Sequence, residues 1–446
     1  MNVAIVSPPR AVRDDWCVGT RCIRLRYITM KSLSMSNDPP VVDDVGPLLQ
    51  WAMQHVIYLD AISAVPPRPA AIAAMHSFLT EAWGNPMAPH LAGDRPKAAV
   101  ERAREQVASL VGADPNEIIF TASGTEANNL AIKGIAAAAG RNRRRRLIIS
   151  AVEHPSIVNS ARALDAQGYA TTVLPVDSTG RVDPTRLHSA LTADTALVSI
   201  QAASGEIGTL QPIAEIGAIT RRAGVPFHVD AVAAAGRLPI DIGAMHIDAL
   251  SCSSSQLGGP PGVGVLVVRR GVRLEPLTHG GTQERGRRAG LENVPGIVGM
   301  GAAAELTRAE LPALRSGLDL LTARLRDGLN MKLDGWRLTG HPTERLPGHL
   351  SLVAEFVEGE ALVMALSRDG LAAAAGVTCR ERTAWRASPA LLALGLEQSA
   401  AQGAVVFSLW SGNTADEIDR AIPLIVHNVM HLRELSPIYS ARLPGV

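Results

Sequence analysis

The 446-residue chain is 47% apolar and 19% charged, long enough for two domains or for one large and one small domain. A net charge of +1 provides no global field for nucleic acid or for an anionic membrane. No window approaches 18 unbroken apolar residues, and no basic-then-apolar leader opens the chain. These features predict a protein with neither nucleic-acid nor membrane partners.

Residues 1–50 lack sustained periodicity and carry the breakers "SPP" and "NDPP", so they read as a poorly ordered extension. Residues 51–70 form an N-terminal segment, and from "VIYLD" (56–60) the pattern becomes regular. "RPKAAVERAREQVASLVG" (95–112) spaces Val100, Ala103, Val107 and Leu110 as one helical face and ends on glycine. Short apolar runs then alternate with amphipathic helices, at 117–121, 146–150, 170–176, 196–200, 225–230, 248–251 and 263–268. Continuous apolar strands with helices between them predict an α/β fold, its mostly parallel sheet covered on both faces. After a long helix near 298–330 the pattern changes. "HLSLVAEF", "GVTC" and "AVVFSLW" read as strands of a smaller α+β unit, closed by a helix from 415 to 435. The expected division is therefore 71–310 for the large unit and 311–446 for the small one.

The run "RNRRRR" (141–146) sits between a helix and a strand, where a solvated loop is the simpler reading. Cys17, Cys22, Cys252 and Cys379 show no CxxC spacing, so no metal site is expected. Scattered thiols in a chain this long suit the cytoplasm. Cys252, at a strand end, reads as packing.

Ligands of such a sheet sit at the C-terminal strand ends. In "FTASGTEANNLAIKG" (120–134) a strand ends at Thr121, Ser123–Thr125 turn, and a helix follows whose free N–H groups suit a phosphate. The same residues also make an ordinary helix cap. "SAVEHPSI" and "FHVDAVAAAG" close two further strands. There His154 suits stacking on a flat ring, and Asp230 suits a protonated pyridine nitrogen. Each has a plain alternative, an exposed histidine or a capping aspartate. Three such loops in succession favour a cofactor cleft.

With "YLD", "GNPMAPHLAG", "GADPNEIIFTASGTEANNLAIKG", "EHPSIV", "GEIGTLQPI", "HVDAV", "GGTQERGRRAGLENVPGIVG", "GEALVMAL", "GVTCRERT" and "NTADEID" in order, the chain from about 56 to 436 resembles the cysteine desulfurases. These are class V aminotransferase-like enzymes of pyridoxal phosphate (PLP) fold type I. The resemblance implies a seven-stranded, mostly parallel sheet in a large domain, and a homodimer or a heterodimer with a related desulfurase. It also implies a sulfur-acceptor protein and a mobile loop with a thiol nucleophile. It assigns Gly124, Thr125 and Ser253 to the cofactor phosphate, His154 to the ring face, Asp230 to the ring nitrogen and Cys379 to the persulfide.

The departures cluster on the cofactor. Ser254, Ser255 and Gln256 stand where the family has serine, histidine and the Schiff-base lysine. Ala233 replaces the glutamine at the cofactor phenol, Ser204 and Gly205 the paired asparagines, and Val406 the arginine that clamps the substrate carboxylate. Leu291 replaces a threonine offered across the dimer, and "ISAVP" (62–66) replaces "AATTP". A carboxamide nitrogen is delocalised into its carbonyl, so Gln256 can neither attach the cofactor nor shuttle the substrate's α-proton. Lys31, Lys97, Lys133 and Lys332, the only lysines, fall in segments not expected to line the cleft. The expectation is sulfur mobilisation without standard L-cysteine desulfurase activity, as sulfur relay, partner subunit or scaffold. PLP would be held without a covalent bond, or not at all. The alternatives are a lyase or transferase that uses the cleft differently, with or without PLP, and a folded product without function.

Overall fold

The computed structural model describes residues 56–376 and 387–440, together with the backbone of two short strands near the N-terminus. The contacts divide the chain into units at Met1–Gln54 and His55–Val446. In the first, β1 (Trp16–Val18) and β2 (Arg21–Ile23) pair antiparallel, a hairpin that the breaker-rich sequence did not signal.

In the second, a seven-stranded sheet has the order β4-β10-β9-β8-β7-β5-β6. Its strands are β4 (Ile118–Thr121), β5 (Arg146–Ser150), β6 (Ala170–Leu174), β7 (Thr195–Gln201), β8 (Phe227–Asp230), β9 (Ala249–Ser253) and β10 (Gly264–Val268). Pairing is parallel from β9 through β8, β7 and β5 to β6, and only β10 runs against its neighbours. The mostly parallel α/β expectation holds, and its cause is visible in the strands. In β4, Ile118 and Phe120 enter one apolar cluster and Ile119 the other, and Val265 and Leu266 of β10 split in the same way. Both faces are buried, so the strands read as continuous apolar runs.

Helices α1 (Pro69–Thr80), α2 (Leu91–Val111), α3 (Gly124–Gly140), α4 (Pro155–Asp165), α5 (Pro184–Ala190) and α6 (Ile213–Ala223) connect these elements. Helix α2 starts four residues before the periodic run and carries Pro96 inside it, at its sixth position. Helix α7 (Val294–Lys332) packs on α1 and α2 and then continues to a second sheet.

That sheet has the order β11-β12-β15-β14, from Trp336–Leu338, His349–Ala354, Ala404–Ser408 and Ala374–Ala375, with antiparallel pairing throughout. Ile57 and Tyr58 of β3 (Ile57–Tyr58) pair parallel with Leu371 and Ala372 of β13 (Leu371–Ala372), which ties the start of this unit to its C-terminal part. Helices α8 (Gly359–Arg368), α9 (Pro389–Ala393), α10 (Gln398–Gln402), α11 (Ala415–Glu434) and α12 (Pro437–Ser440) complete the chain. Among the described residues, no helix is long and apolar enough to cross a membrane.

Candidate active site

The C-terminal ends of β4, β5, β7, β8 and β9 bring the predicted loops to one edge of the large sheet. Helix α3 begins at Gly124 directly after the β4 turn, and the Ser123 hydroxyl accepts the Glu126 N–H at 3.1 Å. Gly124 is required here. A Cβ would lie 2.5 Å from Val232 Cγ2 and 3.5 Å from Ser253 Cβ. The Val232 and Ser253 loops therefore close on the helix N-terminus, where the first N–H groups have no intrahelical partner. Thr125 follows in the exposed first turn. The Glu126 carboxylate accepts the Ala122 N–H at 2.6 Å and the Arg288 Nε–H at 2.9 Å, fixing the cap.

Asp230 ends β8 and is 5% exposed. Its Oδ1 accepts the Val232 N–H at 3.0 Å, and its Oδ2 accepts Asn128 Nδ2–H at 2.7 Å. Burial raises its pKa, against the lowering influence of the Val232 and Asn128 bonds and of nearby His154. A buried carboxylate of this kind gains from a cationic partner. Asn128 Nδ2 also donates to Ser156 Oγ at 2.9 Å, and Ser156 Oγ lies 2.7 Å from His154 Nδ1. His154 Nδ1 accepts the Ser156 N–H at the cap of α4, so its proton belongs on Nε2. Sequence reasoning missed Asn128 and Ser156, the groups that orient the two residues it selected. They stand 28 residues apart and meet only in the fold, so no local sequence signal joins them.

Beneath this chain of bonds lies Glu153. Both of its oxygens accept the Gln201 N–H, at 3.1 and 3.0 Å, and Ser150 Oγ donates at 2.5 Å. Burial pushes its pKa up to about 8 despite these bonds. His228 is wedged between Ser199 Oγ and Ser251 Oγ, each at 2.9 Å, and burial depresses it to about 3. Cys252 is fully buried in β9, its thiol pushed up to about 12, which agrees with a packing role.

Gln256 closes the turn Ser254–Gln256 that follows β9. Its Nε2 donates to the Ile62 carbonyl at 2.8 Å, while its Oε1 is buried without a hydrogen-bond partner among the described residues. The segment from Ile62 runs over this turn, since Val65 N–H donates to the Ser255 carbonyl and Arg68 N–H to that of Gly258. Ser253 Oγ lies 3.1 Å from Ser255 Oγ. A Cβ on Gly205 would meet Ile62 Cγ1 at 3.2 Å and Ala233 Cβ at 4.0 Å, so these three positions are neighbours in space. Val406 is fully buried in β15, whereas Leu291 is exposed. The structure thus makes neighbours of Gly124 and Ser253, joins Asp230 to them through Val232, and links His154 to Asp230 through Ser156 and Asn128. Lys133 sits on α3 with Nζ bonded to Asn129 Oδ1 at 2.7 Å. Cys379 lies outside the described residues, as does most of "GVTC".

The sequence profile of the aminotransferase class V family matches residues 57–421. A cysteine desulfurase of Methanosarcina thermophila is 42% identical over 382 residues, 86% of this chain and 94% of that one. The human cysteine desulfurase is 38% identical over 431 residues, 96% of this chain and 92% of that one. Among solved structures, a NifS-like protein superposes with a TM-score of 0.79 at 32% identity, over 84% of this chain and all of that one. DndA from Streptomyces lividans gives 0.67 at 33% identity, over 79% of this chain and 99% of that one. On this agreement of sheet order, strand-end loops and sequence, the chain belongs to the class V aminotransferase family, on the PLP-dependent fold, with cysteine desulfurases as its homologues.

Proposed function

We propose that this chain serves sulfur mobilisation as a cysteine desulfurase homologue that does not perform the lysine-dependent reaction by itself. It acts in the cytoplasm as a partner subunit, scaffold or sulfur relay, paired with a second copy or with a related desulfurase, and serves a sulfur-acceptor protein. The observation that carries this reading is Gln256. Its amide is held on the Ile62 carbonyl at the end of β9, in the position that the family resemblance gives to the attaching lysine. An amide there offers no nucleophile and no base.

The rest of the cradle fits a PLP-type cofactor. Gly124 leaves the space that a Cβ would fill between Val232 and Ser253. Asp230 offers a buried carboxylate, oriented by Asn128. Buried Gln256 Oε1 and Asn128 Oδ1 lack partners among the described residues. Gly124, Thr125 and Ser253 would hold the phosphate, His154 the ring face and Asp230 the ring nitrogen. When bound, PLP supplies an electron sink for chemistry at an amino acid's α-carbon. This chain's residues bind and orient it without attaching it. Val406 gives no charge to a substrate carboxylate, whose guanidinium contact is worth about 2–5 kcal/mol in comparable buried pairs. Cys379 remains the candidate persulfide carrier of the relay form.

The test is sulfide release from L-cysteine by the purified full-length protein with excess PLP. None is expected from the chain alone, and Gln256→Lys is expected to retain cofactor through dialysis. Sulfide release that Cys379→Ala abolishes would overturn the proposal. A persulfide on Cys379 that appears only beside an active desulfurase would select the relay over the scaffold.

A further inference from the structure

At the edge of the large sheet opposite the candidate site, the N-terminal ends of β7, β8 and β9 meet the end of β10 and the last turns of α3 and α6. They surround a cavity of about 840 Å³, within the range of small-molecule sites, about 300–1,000 Å³. Arg144, Arg221, Arg269, Arg270 and Arg273 line it. Nearby Arg141 and Arg146 pair with Glu275 and Asp194 at 2.8 and 3.3 Å, whereas none of the five has a carboxylate within 4.0 Å among the described residues. Two are held by neutral groups: Arg144 Nη1 donates to the Gly224 carbonyl at 3.1 Å, and Arg221 Nη1 to His246 Nδ1 at 3.2 Å. The acid of the lining is Asp248, whose Oδ2 accepts the Phe227 N–H at 3.0 Å. Arg270 also faces Asp114 in the next cleft. Leaving Arg270 aside, the other four guanidiniums face one carboxylate and two helix C-termini of roughly half a charge each, a surplus of about two.

We infer that this cavity binds a nucleotide-class anion, a di- or triphosphate ester whose ring rests on the α3 wall. The inference goes beyond the proposed function and does not depend on the cofactor cradle. Guanidinium groups bind phosphate oxygens through paired N–H donors, and arginines without carboxylate partners keep those donors free for a ligand. The surplus of charge calls for a multiply charged anion. The rest of the lining is largely apolar, with Ile135, Ala138 and Ala139 of α3 beside Val225 and Val272. Inorganic phosphate or pyrophosphate would leave that surface wet, whereas a ring would cover it. Arg144 belongs to the run "RNRRRR", whose sequence reads as a solvated loop. In the fold this one member is half-buried and turned into the cavity.

The experiment is calorimetric titration of the full-length protein, at constant ionic strength, with ADP, inorganic pyrophosphate and adenosine in turn. ADP is expected to bind about tenfold or more tightly than either of the others, since each lacks one half of the contacts. Arg221 and Arg273 are exposed, and the double variant Arg221→Gln/Arg273→Gln is expected to weaken ADP by about tenfold or more. Arg102→Gln/Arg308→Gln removes the same charge from exposed positions on α2 and α7. It is expected to leave ADP affinity within about twofold, because distant surface charges are screened. Absence of ADP binding would overturn the inference, as would binding that Arg221→Gln/Arg273→Gln leaves unchanged or that both double variants weaken alike. Pyrophosphate binding as tightly as ADP would overturn the ring site. Duplex DNA binding more tightly than ADP through the same arginines would overturn the small-ligand assignment. All of these outcomes leave the reading of Gln256 standing, because the cradle lies at the other edge of the sheet.

Discussion

The two sides of the candidate cleft are built to different standards. On the β8 side, Asp230, Asn128, Ser156 and His154 form a continuous chain of hydrogen bonds between 2.7 and 2.9 Å, with Asn128 Oδ1 the one side-chain atom of the chain buried without a partner among the described residues. On the β9 side, Gln256 makes one bond, to Ile62, and buries an oxygen that makes none. Connected buried networks fix a geometry, whereas a side chain held by a single bond is fixed less completely, and unsatisfied groups on either side are costs that persist only where something offsets them. The difference separates holding a ring from attaching it. On the proposed reading the first capacity is kept and the second is not.

The largest expected effect breaks the better-built side. Asp230→Ala removes the charge offered to a ring nitrogen and is expected to lower PLP affinity by about thirtyfold or more, the range for a buried charge pair losing a partner. Gln256→Met should change PLP affinity only a few-fold. Equilibrium dialysis of the two variants makes the comparison, and equal losses would show that the two sides contribute alike.

Stability gives a second contrast. Asn128→Leu strips a donor from both Asp230 and Ser156 and is expected to cost about 1–3 kcal/mol, read from the urea midpoint at constant m-value. Gln256→Met gives up the Ile62 bond but removes an unsatisfied oxygen, so its cost should stay within about 1 kcal/mol. If Gln256→Met proved the more damaging of the two, the oxygen must have a partner after all.

How much of this was legible in the sequence follows the same division. Strand ends were readable because apolar runs stop where the chain turns: Asp230 closes β8, and the turn after Thr121 opens α3. The sheet's one reversed strand, β10, was not readable, because strands buried on both faces look alike in either direction. Asn128 and Ser156 were invisible as a pair, since they stand 28 residues apart and meet only through the packing of α3 on α4. The positions read as departures from the family were legible only as scattered letters. Folding makes neighbours of Ile62, Gly205 and Ala233, and sets Gln256 on the Ile62 carbonyl. A change at any one of them therefore alters the packing that the next one meets.

The smallest effect concerns the floor of the connected side. Glu153 is raised to about 8 by burial, and the charge of Asp230 adds to the rise. A carboxyl raised in the folded chain contributes its full stability below the unfolded value, near 4.5. That contribution is lost as pH rises through 8, because the unfolded chain gives up its proton first. Other groups act in parts of this window. His228, depressed to about 3, adds stability as pH rises to its ordinary value of 6.5 and nothing beyond. Glu206, bonded to Ser388 and raised to about 7 by burial, adds a decline of its own that flattens above that pH. Asp230 is also raised. Between pH 7 and 8 the remaining slope should come largely from Glu153, and Glu153→Gln should flatten it while keeping an oxygen for the Gln201 N–H. Urea midpoints at pH 7 and 8 decide the matter. A slope unchanged by Glu153→Gln would show that Glu153 does not carry the decline.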